Sequence, residues 1–414
     1  MVAPMVNPAE GGMSGLDKGG LTQPPEAPQG SSRVVLGVGS KSVQRWALLD
    51  VLRGVTGRKS HRMCARYTVD GDAEIGTRAG TKVVKGKDGK RRRVADGDRA
   101  SVSNVIMCDS TLCPVCCARK RASQLRAVEA STEGIDQVAL MTLTVPHDRR
   151  TPLADMLDAM ATAWNASMSA RQRRAWEAVG MVGWLKALDY THGQNGHHPH
   201  YHAVLYFDRH VSQETLTEVF SDTFDRWSRS IERSLGRPPK KHAQDIQHAR
   251  DRDDVRRYAI KAFSMDALWV ESKDRGGDTM WEVLKQAPES PRHRAVWSEI
   301  ETATYRRRWA TAGGIVSLKE PEADEADEAD EADEADEVEP VLTVPRPVWS
   351  WVVARRLVPR LLLAVENRRE DPAKLDQWRA LFIVAEARLR DQWERKNGLR
   401  TGPSLASWVP RLPE

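Results

Sequence analysis

MVGWLKALDYTHGQNGHHPHYHAVLYF, residues 181–207, is the stretch from which the fold can be read. Its ends, MVGWLKALDY (181–190) and HYHAVLYF (200–207), are short apolar runs separated by the turn-prone Thr191–Gly196. Runs of this length bounded by turn residues predict two strands. Successive side chains of a strand alternate between its faces, so His200 and His202 project to the same side. Five of the eleven histidines fall within 192–202. A bare His-x-His carries little information. Two imidazoles at this spacing can nevertheless share one divalent cation, and a hairpin would set Asp189, on the preceding strand, beside them. A set of two histidines and a carboxylate leaves coordination positions open for substrate oxygens. The alternative is a pair of strand histidines satisfied by hydrogen bonds.

Working outward, VALMTLTV (138–145) predicts a buried strand stopped by Pro146, and 152–179 has helical spacing. In 212–235, Leu216, Val219, Phe220, Phe224, Trp227, Ile231 and Leu235 share one helical face, as core packing requires. A fourth strand is expected near 243–249 and a short helix over 252–264. The order β-α-β-β-α-β followed by a helix predicts an α+β domain, the ferredoxin-like or RRM-like split β-α-β fold with an antiparallel central sheet. Composition divides the chain into five segments. Residues 1–33, rich in Gly, Pro and Ser, form a disordered lead-in. Residues 34–130 are a basic region containing all the cysteines. The α+β domain follows at 131–312, then an acidic low-complexity linker at 313–340 and a helical region at 341–414. Residues 347–395 read as two helices, the first interrupted by Pro359; they are a DNA-binding or dimerising unit, or they pack on the main body. The basic stretch 80–100 reads as a loop or hairpin, either touching DNA or simply solvated.

The formal charge of +5 understates the polarity of the chain. Residues 319–339 hold one lysine against thirteen acids, so this segment carries about −12 and the remainder about +17. An excess of positive charge on the folded part points to a polyanionic partner, because Lys and Arg bind phosphate through charge and counterion release. A merely soluble basic protein is the other reading of the same numbers. No apolar run is long enough for a membrane span, and none opens the chain as in a signal peptide, so a cytoplasmic protein is expected.

Cys64, Cys108, Cys113, Cys116 and Cys117 are clustered and odd in number. In a chain of this kind that pattern favours metal over disulfides. Cys113-Pro114-Val115-Cys116 is a CxxC knuckle, and with Cys108 and Cys64 it offers four thiolates for a structural, tetrahedral Zn2+. Cys117 is the spare, or takes the place of Cys116; the alternative to a zinc knuckle is a set of buried free thiols.

In DRDDVRRYAIKAF (251–263), spacings of four and three put Asp254, Tyr258 and Lys261 on one face of a helix. A phenol with a pKa near 10 is a poor nucleophile at neutral pH. A nearby cation, the metal or Lys261, would favour phenolate and screen phosphate charge, and Asp254 could serve as a general base toward water or the phenol. By itself the pattern describes an ordinary amphipathic helix; its meaning comes from following the histidine strand.

Three blocks, LMTLTVPH (140–147), HPHYHAVLYF (198–207) and RRYAIKAF (256–263), occur in this order and resemble the three motifs of plasmid rolling-circle replication initiators. These belong to the HUH endonuclease superfamily, named for two histidines flanking a hydrophobic residue, here His200-Tyr201-His202. The resemblance covers about 105–265. Asp189-Tyr190-Thr191 matches the Glu-x-Thr that precedes the histidine block in this branch, Asp254 stands where a Glu is usual, and a CPxC precedes the first motif. The resemblance implies that 131–312 is an HUH endonuclease domain behind an N-terminal zinc-knuckle-like region and before C-terminal helices. It implies Asp189, His200 and His202 as ligands of Mg2+ or Mn2+, and Tyr258, Asp254 and Lys261 as catalytic residues. It further implies nicking of one origin strand through a 5′-phosphotyrosyl link, with a free 3′-OH left as primer and Asp254 assisting termination. The implied partners are plasmid origin DNA, single-stranded or extruded as a hairpin at the nick, the host helicase and DNA polymerase, and a second copy of the chain. No GxxxxGK[ST] phosphate loop occurs, and the energy kept in a tyrosyl ester makes a nucleotide cofactor unnecessary. Two other readings remain: a non-catalytic zinc-containing DNA-binding protein, and a metal-dependent hydrolase without a covalent intermediate.

Overall fold

A computed structural model describes residues 39–85, 91–135, 137–249, 277–319 and 338–399. The lead-in 1–33, the helix expected over 252–264 and most of the acidic run lie outside the described residues. Ser40 caps the first helix, α1 (Lys41–Val55), by accepting from the N–H groups of Ser42 and Val43. After α2 (Lys59–Met63) comes an antiparallel hairpin of β1 (Ala73–Lys85) and β2 (Arg91–Ser103), so the basic stretch 80–100 is a hairpin rather than a loop. Pro114 opens α3 (Pro114–Ser131), where its missing N–H costs nothing because first-turn donors are unpaired in any case.

The α+β section then follows the expected order. β3 (Gln137–Thr144) leads into α4 (Leu153–Ser167) and α5 (Ala170–Ala178). The single helix expected over 152–179 is thus broken near Met168. Trp164 and Trp176 lie twelve residues apart, about 120° around a straight helix. The break re-aims the chain, and both rings pack on the sheet, Trp164 against Tyr201 and Trp176 against Phe207. β4 (Met181–Gly193) and β5 (Gly196–Phe207) form one long hairpin. Pairing continues to Gly193–Gly196, so the turn is far tighter than Thr191–Gly196. Gly196 sits at φ +87°, and a Cβ there would lie 2.9 Å from the Asp148 carbonyl oxygen, so the position demands glycine. α6 (Gln213–Leu235), ended by Gly236 at φ +73°, returns the chain to β6 (Asp245–His248).

Within this sheet the order is β6-β3-β5-β4 with every neighbour antiparallel, the ferredoxin-like arrangement. The chain resumes with β7 (Asp278–Thr279), α7 (Met280–Gln286), α8 (Pro291–Ala303) and β8 (Ala310–Gly314); β7 and β8 both pair with the outer edge of β4. Finally β9 (Glu339–Val344) joins the first hairpin in a sheet of order β2-β1-β9. Three helices follow, α9 (Arg346–Ala354), α10 (Val358–Glu366) and α11 (Pro372–Lys396), where two were expected. Pro359 starts a helix instead of interrupting one, since its fixed φ suits a first turn. Segments of different composition, 34–130 and 341–414, therefore share a sheet and a core. The Trp349 indole donates to the Ala65 carbonyl at 2.8 Å, and its ring meets Trp46 edge-on at 6.2 Å. Among the described residues no helix is long and apolar enough to cross a membrane.

Candidate functional site

Strand alternation gives the central sheet two different faces. Ala139, Met141 and Leu143 of β3 and Ala203, Leu205 and Phe207 of β5 join α4 and α6 in the main core. The intervening Val138, Leu140, Leu185, Ala187, Val204 and Tyr206 form a second, smaller cluster on the opposite face, with Val128 of α3 and Val316. Asp189, His200 and His202 continue this second set along β4 and β5, so they stand on the face that α4 and α6 leave open. Register completes the placement. Asp189 pairs directly with His200, Ala187 with His202, and on the other side Thr144 pairs with His200 and Thr142 with His202.

The three predicted ligands come together. Nε2 of His200 lies 3.3 Å from Asp189 Oδ2, Nε2 of His202 lies 3.7 Å from the same oxygen, and the rings stand edge to face at 4.8 Å. Nδ1 of each ring is engaged away from this centre. That of His200 faces the His198 carbonyl at 3.4 Å, and that of His202 faces Thr142 Oγ1 at 3.1 Å. A carbonyl only accepts, so Nδ1 of His200 carries the hydrogen. In the neutral ring, Nε2 then turns a lone pair toward a carboxylate. Two acceptors facing each other need a cation between them, either a proton or a metal. Burial disfavours the charge on Asp189, but hydrogen bonds and charge from His200 and His202 outweigh it and hold its carboxyl well below the usual carboxylate range. An ionised carboxylate and two outward-tethered imidazoles suit a divalent cation.

His198 lies on the same strand face, its ring 5.2 Å from that of His200, and His147 from the first motif stacks on it at 4.5 Å. Burial, then the neighbouring His200 and His147, push the His198 pKa down to about 4. Gln244 holds Thr144 from both sides, accepting from its N–H at 2.7 Å and donating to its hydroxyl at 2.6 Å, while the Trp227 indole donates to the Thr144 carbonyl at 3.0 Å. The end of β3 beside His200 is thereby fixed.

Cys64, Cys108, Cys113 and Cys116 also come together, 52 residues apart at the extremes. Sγ–Sγ separations are 3.7 Å for Cys64–Cys113 and 3.5 Å for both Cys64–Cys116 and Cys108–Cys116. These are far too long for disulfides. They approach the edge of about 3.8 Å that a tetrahedron with Zn–S bonds of about 2.3 Å requires. Hydrogen bonds from Cys108, Cys113 and Cys64 drive Cys116 toward thiolate against the effect of burial. Cys117 is wholly buried outside this group, and burial pushes its thiol up.

A buried network ties the cysteine loop to the rest. His61 donates from Nδ1 to Glu301 of α8 at 3.0 Å, and its Nε2 meets Ser110 Oγ at 2.8 Å. Glu301 also accepts from Thr56 Oγ1 and from the Gly57 N–H. Burial opposes its charge, yet these bonds hold its pKa below the ordinary glutamate range. Sequence reading missed Thr142, Gln244, His61 and Glu301. The first lies inside a quoted motif, where its alternation with Leu143 was the available signal; His61 and Glu301 are 240 residues apart and gave none. Tyr258, Asp254 and Lys261 lie outside the described residues.

A family model described as replication protein matches residues 99–351. A curated protein from Streptomyces lividans, named Protein rep, is 27% identical over 204 residues, which cover 36% of this chain and 44% of that protein. The chain spans less than half the length of this relative. No solved structure matches.

Proposed function

The chain belongs to the replication protein family, and from that premise we propose that it starts rolling-circle replication of a plasmid by nicking one strand of the origin. The observation that carries the reading is the site at one end of the open sheet face, where two Nε2 atoms lie 3.3 and 3.7 Å from one carboxylate oxygen. Asp189, His200 and His202 hold a divalent cation, Mg2+ or Mn2+, which when bound supplies positive charge to the scissile phosphate. Thr142 and the His198 carbonyl keep both rings turned with Nε2 inward. Tyr258, which belongs to the third motif and follows β6 in sequence, attacks the phosphorus with its phenolic oxygen. Its proton passes to Asp254 or water, the bond from phosphorus to the 3′ oxygen breaks, and a 5′-phosphotyrosyl ester forms. Lys261, three residues on, screens phosphate charge. The freed 3′-OH primes host polymerase behind a host helicase, and a second cleavage, with water deprotonated by Asp254, ends the round. Cys64, Cys108, Cys113 and Cys116 hold a structural zinc.

The test is the covalent adduct. Purified protein incubated with supercoiled origin plasmid and Mn2+ should yield a nicked circle bearing one phosphotyrosyl peptide, that of Tyr258. Tyr258→Phe should abolish nicking and leave origin binding nearly intact. An adduct on another tyrosine would reassign the nucleophile; nicking without any adduct would favour a plain metal-dependent hydrolase.

A further inference from the structure

Beside the cysteine cluster runs a groove of about 880 Å3 between α3, the segment around Val105–Met107 and the chain at Leu318–Lys319. Arg119, Lys120 and Arg126 of α3 and Lys319 line it, with Ser123 and Gln124 between the helix cations. Among the described residues of the lining Asp109, 3.1 Å from Lys120, is the one acid against four cations, so that set is basic in sum. At a rise of 1.5 Å per residue, Arg119 to Arg126 is a row about 10 Å long, commensurate with roughly three phosphates along one strand of a duplex. The opposite wall is apolar and open to solvent: Val69 is 65% and Ile106 50% exposed. Both sit on a short ribbon where Val69 N bonds the Asn104 carbonyl and Ile106 N the Tyr67 carbonyl. Thr68 and Val105 face inward from the same ribbon.

We infer that this groove is a docking surface for double-stranded DNA, gripping the duplex next to the strand that is cut. This rests on the nicking function proposed above but concerns a different surface. The direction is set by the fold. Val128 and Leu125 of α3 pack on the sheet face that carries Asp189, His200 and His202, so helix and site share that face. The lining chemistry chooses duplex over single strand. Single-strand sites rely on aromatic rings that stack bases, and among the described residues the lining contains none. Cations with hydroxyl and amide donors suit phosphate oxygens, and small exposed apolar side chains suit sugar edges.

The test uses the full chain, its triple variant Arg119→Gln, Lys120→Gln, Arg126→Gln, a short labelled duplex and the isolated labelled strand, with binding followed by fluorescence anisotropy across a salt series. Glutamine preserves helix propensity, and an unchanged circular dichroism melt confirms folding of the variant. Loss of three phosphate contacts should lower the salt slope of duplex binding by about 3. Over a fourfold rise in salt, wild type should then lose about fortyfold more affinity than the variant. Single-strand binding and cleavage of a single-stranded oligonucleotide should stay at wild-type levels. An unchanged duplex slope, or equal loss on duplex and single strand, overturns the inference. Duplex binding that emerges only after deletion of residues 322–337 also overturns it, and assigns the groove to the chain's own acidic run. Failure of nicking alone bears on the catalytic reading and leaves this binding result standing.

Discussion

Thr142→Val isolates the contribution of one hydroxyl to the metal-binding centre. Valine keeps the shape and strand preference of threonine and removes the oxygen 3.1 Å from His202 Nδ1. In wild type that contact holds the ring orientation in which Nε2 points at Asp189, 3.7 Å away. A single hydrogen bond of this kind contributes about 0.5–1.5 kcal/mol, or roughly two- to twelvefold in affinity. Partners behind metal-ligating histidines typically count for about 10–100-fold. The two ranges meet near tenfold, about 1.4 kcal/mol, and that is the expected loss in Mn2+ affinity by calorimetric titration. Nicking should fall by a similar factor at limiting metal and recover as Mn2+ is raised, because the ligands themselves remain. Thr144→Val is the control. Its hydroxyl engages Gln244 at 2.6 Å rather than a histidine, so it should cost stability and leave Mn2+ affinity alone. Equal Mn2+ affinity for Thr142→Val and wild type would refute the reasoning, as would an equal loss in both variants.

Asp254→Ala should keep initial nicking within about tenfold while impairing termination by about 10²–10⁴-fold, the usual contribution of a general base. Multimeric single strands on a gel are the readout, and unit-length products would leave Asp254 without a role in termination. Cys113→Ser should release zinc, measured by a colorimetric chelator, and loosen the cysteine loop to proteolysis; full zinc content in the variant would remove Cys113 from the ligand set. Glu301→Gln should cost about 1–3 kcal/mol near neutral pH by weakening a buried, charge-assisted hydrogen bond. Because the folded pKa of Glu301 is depressed, its ionised form adds stability above the ordinary value of about 4.5, and that contribution fades as pH falls through the folded value. Urea midpoints should therefore decline with acid less steeply in the variant, and parallel profiles for the two proteins would contradict this account.

Local pattern was enough for much of this protein. Strand alternation in HYHAVLYF placed His200 and His202 on one side, and a hairpin sufficed to bring Asp189 beside them, while the tight turn that pairs Asp189 with His200 itself was decided by the folded hairpin. The same logic yielded the β-α-β-β-α-β order and the cysteine knuckle, whose ligands are mostly close in sequence. What it lacked was any record of long-range contact. A helix break that turns Trp176 onto the sheet, a proline that begins α10, and a C-terminal strand, β9, that completes the N-terminal sheet all depend on which surfaces meet. So do Glu301 beneath His61 and the basic groove formed where Lys319 comes alongside α3. Periodicity encodes which side of an element is apolar. Which element covers that side is decided only when the whole core packs, and it was there that Thr142 acquired a histidine to hold.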